Sequence, residues 1–159
     1  MNGVLVGDPI LPAAVARHLE LQIGSAQRLL DLVLRQGVAI REREVETVLA
    51  CLAEIQVEMA AREALERERE ELIGRAAVRL GIGADEVSLA ALGRLATPPE
   101  QEALLARSAT LRGLLAEIAR EHGINRALMR QELTFLDHLI RISGENPEPG
   151  SRRLMDVEA

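Results

Sequence analysis

The sequence holds one cysteine and one phenylalanine, and no tryptophan, tyrosine or lysine. Each scarcity excludes something. With Cys51 alone there is no internal disulfide. A zinc site assembled from several Cys and His ligands is also unsupported. Cys51 sits mid-helix beside Leu52, so it reads as a packed thiol. An aromatic share of 1% argues against a compact globular core or a ligand pocket, both of which recruit aromatics for their buried area. It also removes any stacking platform for single-stranded nucleic acid. All 19 basic residues are arginine, which we read as coding bias rather than chemistry. No run of 18 apolar residues is present, so nothing in the chain is long enough to span a bilayer. Residues 1–16 carry an apolar patch without a basic leading region. Pro9 and Pro12 interrupt it, which makes it a poor signal peptide. The net charge of −6 speaks against a nucleic-acid or membrane-surface partner, since both favour a basic face. The chain therefore reads as cytoplasmic.

What the sequence has in quantity is helical periodicity. Apolar residues make up 48% of 159 residues, enough for a real core in one domain and too many for a disordered chain. A first helix is expected from near Pro12, a residue suited to a first helical turn. Its stripe is Leu11, Val15, Leu19, Ile23, Ala26, Leu30 and Val33, continuing toward Ile40 in steps of three and four. Charged residues at 41–44 mark a tight turn without glycine or proline. A second helix runs from about Glu44 to Leu80, with the stripe Val45, Val48, Leu52, Ile55, Met59, Leu65, Leu72, Ala76 and Leu80. Where that stripe thins, Glu58 with Arg62, Glu63 with Arg67 and Glu71 with Arg75 stand at i,i+4 with the acid first, the favourable order.

Gly81 and Gly83 end that helix, glycine being suited to a left-handed C-terminal position. Ser88 caps a short helix from Leu89 to about Leu95. Thr97 then caps a third long helix, with Pro98 in its first turn and Glu100 completing a capping box. It runs to about Ser143, with the stripe Leu104, Leu111, Leu115, Ile118, His122, Asn125, Met129, Leu133, Leu136 and Ile140. Gly123 is a candidate bend. Residues 1–143 read as one helical-bundle domain and 144–159 as a flexible tail. The fold class is all-α: an elongated antiparallel bundle or coiled coil of three long helices with one short connecting helix.

Chemistry is absent from the pattern. Helical di-iron sites need Glu-x-x-His, and none of the three histidines has an acid three residues earlier. Gly81-Ile82-Gly83 lacks the Lys and Ser/Thr of a phosphate loop, and no serine sits in a nucleophile elbow. We expect no catalysis, no cofactor and no metal. Asn125, on the apolar stripe, is either a satisfied polar residue or a register-fixing one of the kind seen at coiled-coil core positions.

The most telling segment is residues 125–142. Leu128, Met129, Leu133, Phe135, Leu136, Leu139, Ile140 and Ile142 cover roughly half of a helix circumference at 100° per residue. One neighbouring helix needs only a narrow seam. The surplus is met by a further packing element, by the tail (Leu154, Met155, Val157), by a second copy in a homo-oligomeric scaffold, or by a separate partner. The pattern Asn125-x-x-Leu128-Met129-x-x-x-Leu133-x-Phe135-Leu136-x-x-Leu139-Ile140-x-Ile142 resembles the C-terminal signature of FlgN-type flagellar export chaperones. The segment from Leu29-Leu30 to Arg41-Glu42, leading into 43–69, resembles that family's first helix, turn and second helix. Ser88 to Leu95 and Pro98-Pro99 sit where the family places such elements. The similarity covers about residues 10–143. It departs in having no tyrosine and in matching the motif's leading polar position only loosely, with His122.

That resemblance implies long antiparallel helices and no enzymatic activity. It also implies binding of hook-filament junction proteins through their C-terminal helices, with later handover to an export-gate component. The client-binding residues it implies are Leu128, Met129, Glu132, Phe135, Leu136, Leu139 and Ile142, with Glu132 selecting a basic client residue. Whether the chain is a monomer or a homodimer stays open at this level.

Overall fold

A computed structural model describes residues 10–145. Three long helices, α1 (Ile10–Glu42), α2 (Val45–Leu80) and α4 (Pro98–Glu145), dominate it, and a short α3 (Leu89–Leu92) lies between α2 and α4. No strand occurs among the described residues. The connections dictate the antiparallel order. Between α1 and α2 only Arg43 and Glu44 intervene. Arg43 turns the chain at φ 59°, a left-handed conformation that costs a non-glycine residue about 1–2 kcal/mol. Its N–H bonds to Ile40 O at 3.2 Å, and Glu44 N–H reaches back to Ala39 O at 2.9 Å. The turn therefore sits where the charged residues place it, and hydrogen bonds replace the missing glycine.

At the other end Gly81 takes φ 67° and its N–H bonds to Ala77 O, closing α2. A single-turn 3-10 helix (Ala84–Glu86) follows, then α3, whose Ser88 Oγ accepts from Ala91 N–H at 3.1 Å. The segment expected as one short helix to Leu95 is α3 plus a second 3-10 turn (Gly93–Leu95). Thr97 and Glu100 form the expected reciprocal cap on α4, with N···O distances of 2.7 and 3.4 Å. Gly123 does not interrupt α4, which at 48 residues is about 72 Å long. It continues through Gly144 to Glu145, beyond the expected boundary. The tail residues Leu154, Met155 and Val157 lie outside the described residues.

α1 is the central helix. It packs along both α2 and α4, which barely touch each other directly. This corrects part of the inward faces read from periodicity. On α1 the expected Leu11, Val15, Ala26, Val33 and Ile40 are buried, but His18, Gln22, Ser25, Leu29 and Gln36 are buried with them, while the expected Leu19, Ile23 and Leu30 are only half-buried. A helix with neighbours on two sides needs a wider buried arc, so polar residues come inside wherever a neighbour satisfies them. Glu68 lies 3.1 Å from His18 Nδ1, Gln22 Nε2 donates to His18 Nε2 at 3.3 Å, and Arg62 donates to Ser25 at 3.2 Å.

Away from the α3 end α2 and α4 pack mainly on α1, and their inner seams are narrow. On α2 the seam follows Val48, Cys51, Ile55, Glu58, Arg62 and Leu65, with Cys51 fully buried, whereas Val45, Leu52 and Met59 are exposed. None of the three expected i,i+4 pairs forms as an ion pair. Glu58 instead takes a bidentate pair from Arg28 of α1, at 3.2 and 3.1 Å. On α4 the seam is Leu104, Leu111, Leu114, Ile118, Glu121, Asn125, Leu128 and Glu132. Leu115, His122, Leu133, Leu136 and Ile140 face solvent, against expectation. The main core lies at the α3 end, where Leu11, Val15, Leu72, Ala76, Leu95 and Leu104 meet and Leu80, Val87, Leu89 and Leu92 pack against them.

Candidate docking surface

The α4 seam advances in alternating steps of three and four, and the sequence keeps that rhythm past the end of the bundle. After Asn125, Leu128 and Glu132 come Phe135, Leu139 and Ile142, the next three positions of the same column. The α1–α2 turn is where support stops. Arg43 reaches α4 there, its Nε 3.6 Å from Glu132 Oε2 and its guanidinium carbon 5.7 Å from the centre of the Phe135 ring. Guanidinium over a ring is an attractive arrangement, and it closes the bundle at this end. Ten residues of α4 lie beyond Phe135, a projection of about 15 Å.

Burial changes along that one column. Asn125 is 1% exposed, while Phe135, Leu139 and Ile142 are 47%, 42% and 49% exposed. Leu128 and Met129 are half-buried at the transition, and Leu133, Leu136 and Ile140 are exposed beside the column. Contiguous exposed apolar side chains of this kind mark interaction surfaces. Glu132, at the rim, is already engaged by Arg43. Further out, Arg141 donates to Asp137 at 3.3 Å, so the charged positions of the projection pair with each other and leave the apolar column open.

Asn125 anchors the start of this surface. Its Nδ2 donates to Val33 O at 2.7 Å. Gly37 makes the approach possible, since a Cβ there would lie 2.6 Å from Asn125 Oδ1. His122, expected on the inner stripe, is exposed. No group of three or more acidic, His or Cys side chains suited to a metal occurs among the described residues. No helix among them is long and apolar enough to cross a membrane.

Sequence reasoning did not find a second apolar feature, at the α3 end. There a cleft of about 470 Å³ opens between α1, α2, α3 and α4, with Val15, Gln22, Ile73, Leu89, Leu92 and Leu115 among its lining. Its lining is drawn from four elements, so no single helix signals it.

The family model described as FlgN protein matches residues 12–153. No curated protein and no solved structure matches the chain.

Proposed function

The chain belongs to the FlgN protein family, a family of flagellar export chaperones, and from that premise we propose that its clients are hook-filament junction proteins, held by their C-terminal helical segments in the cytoplasm until export. The docking face is Leu128, Met129, Glu132, Phe135, Leu136, Leu139 and Ile142. One observation carries this reading: the α4 seam that α1 fills at Asn125 runs on, in the same register, into exposed Phe135, Leu139 and Ile142. A seam of that kind is half of a coiled coil, and an amphipathic helix is its natural complement. Covering the client's apolar face would keep it soluble, and the reaction requires no covalent chemistry, metal or cofactor. Asn125 serves as the register pin that holds this stretch of α4 against α1, and residues 1–143 act as one bundle domain that presents it. Handover at the export gate then follows release from this face.

The test is binding of a junction protein from the same genome to wild type and to Leu139→Arg, with helicity followed by circular dichroism. We expect the variant to keep its helicity and lose the complex. Retention of the complex with unchanged affinity would sink the docking face. Native mass separates this reading from a self-assembling scaffold: an obligate oligomer that Leu139→Arg dissolves, and that binds no junction protein, favours the scaffold.

A further inference from the structure

The cleft at the α3 end is the closed end of a longer trough, and we propose that the client helix lies in that trough with its C-terminal carboxylate at the α3 end, held by arginines. This rests on the docking reading above and adds the path and polarity of the client.

The trough follows from the helix layout. α2 and α4 flank α1 without closing on each other, so three long helices occupy three corners of what would be a four-helix bundle. α3 fills a short piece of the fourth corner, where Leu89 and Leu92 pack on the core. Beyond α3 the corner is empty among the described residues, but its walls are dressed for a helix. Ile73 of α2 and Leu115 of α4 line the cleft. The columns they belong to pass at seven-residue spacing through Glu66 on α2 and His122 on α4, then continue as Met59, Leu52 and Val45 and as Met129 and Leu136. Val45, Leu52, Met59, Leu115 and Leu136 are all exposed. The trough runs directly into the projecting face of α4, because Met129 and Leu136 belong to both. From Leu115 to Leu136 it is about 30 Å long, room for about 20 helical residues.

Charge sets the polarity. The closed end carries Arg62 and Arg69 against Glu66. Among the described residues Arg69 is held only by an exposed 3.5 Å contact with Glu66. Arg112, one position after Leu111 of the cleft lining, is exposed and has no ion-pair partner among the described residues. The C-terminus of a helix carries the negative end of its dipole, and a chain terminus adds a carboxylate. Guanidinium groups pair with carboxylates in a two-pronged geometry. A C-terminal client helix running from the α4 projection toward α3 would end at these arginines, antiparallel to α4.

The experiment compares two synthetic peptides covering the last ~25 residues of a junction protein from the same genome, enough helix to fill the trough and reach the projection. One has a free carboxylate and the other a C-terminal amide. Titration calorimetry with the full chain should show the free acid binding about tenfold more tightly, the scale of one charge-assisted hydrogen bond. That gap should close in an Arg69→Gln/Arg112→Gln double variant, whose helicity is checked by circular dichroism. A photo-crosslinker at the peptide's last residue should mark 88–92, and one at its first residue should mark 136–142. Equal affinity of the two peptides for wild type, or reversed crosslinks, overturns the trough polarity while leaving docking on the projection intact. Failure of both peptides to bind overturns both readings. A homodimer in the absence of peptide that Leu115→Glu dissolves gives the trough to a second copy and overturns the proposal.

Discussion

Asn125 and Val33, 92 residues apart in sequence, are joined by a 2.7 Å hydrogen bond from the asparagine Nδ2 to the valine carbonyl. That carbonyl also accepts the helical N–H of Gly37, four residues on. Gly37 has no side chain to keep Asn125 away. Removing the bond and its packing through Asn125→Ala should cost about 1–2 kcal/mol in urea unfolding.

The same contact predicts the sign at Gly37. Alanine normally improves a helix interior by about 1 kcal/mol over glycine. Here the added Cβ would meet Asn125 Oδ1 at 2.6 Å, so Gly37→Ala should destabilise. In the Asn125→Ala background the obstacle is gone and Gly37→Ala should become neutral or stabilising. Additive effects in that double-mutant cycle would refute the steric account.

Gly113 and Gly123 are the control. A Cβ at either meets nothing within 4 Å. Gly113→Ala and Gly123→Ala should each raise stability by about 0.5–1 kcal/mol, read from the shift in urea midpoint.

Burial along the α4 seam predicts a division between stability and binding. Leu104 is 2% exposed, and Leu104→Ala should cost about 2–4 kcal/mol. Ile142, in the same column but exposed, should change stability by no more than about 0.5 kcal/mol when replaced by Arg. Thermal unfolding of the two variants checks this directly. A large loss from Ile142→Arg would mean the projection is packed within the molecule.

Acid should weaken the α1–α2 contact. The Arg28 guanidinium hydrogen-bonded to Glu58 holds that carboxyl below the usual glutamate range, against the opposing effect of burial. A carboxyl with a lowered folded-state pKa stabilises the fold above its unfolded value, near 4.3. It loses that contribution as pH falls through the folded value. Glu58→Gln should therefore lower stability at pH 7 and flatten the fall in stability below about pH 4.3, as followed by urea titrations across that range.

Much of the fold was legible in the residues because its signals are local. Gly81, Ser88 and the Thr97 to Glu100 cap act within one helical turn, and the turn at Arg43 lies where the apolar rhythm breaks. The exposed apolar stretch at 133–142 was legible for a related reason: its apolar arc is wider than one neighbour can cover, and that width is a property of the helix alone. The sequence by itself therefore determined three long helices, their order and the surplus apolar surface near the C-terminal end.

Periodicity put Leu11, Val15, Ala26, Val33 and Ile40 inside, but only the tertiary structure decided how far each inward face extends. Periodicity selects the most apolar column, but burial depends on how many neighbours a helix has. α1 has two, so it takes His18, Gln22, Ser25 and Gln36 inside, where α2 and its own side chains satisfy part of that polar set. Beyond the α3 end α4 packs mainly on α1, so Leu115, Leu133 and Leu136 are left outside while Asn125 goes in. The fourth corner left open among the described residues, and with it the trough above α1, exists because α2 and α4 both spend their narrow seams on α1. No single helix carries that information, since it arises from how three of them share one partner.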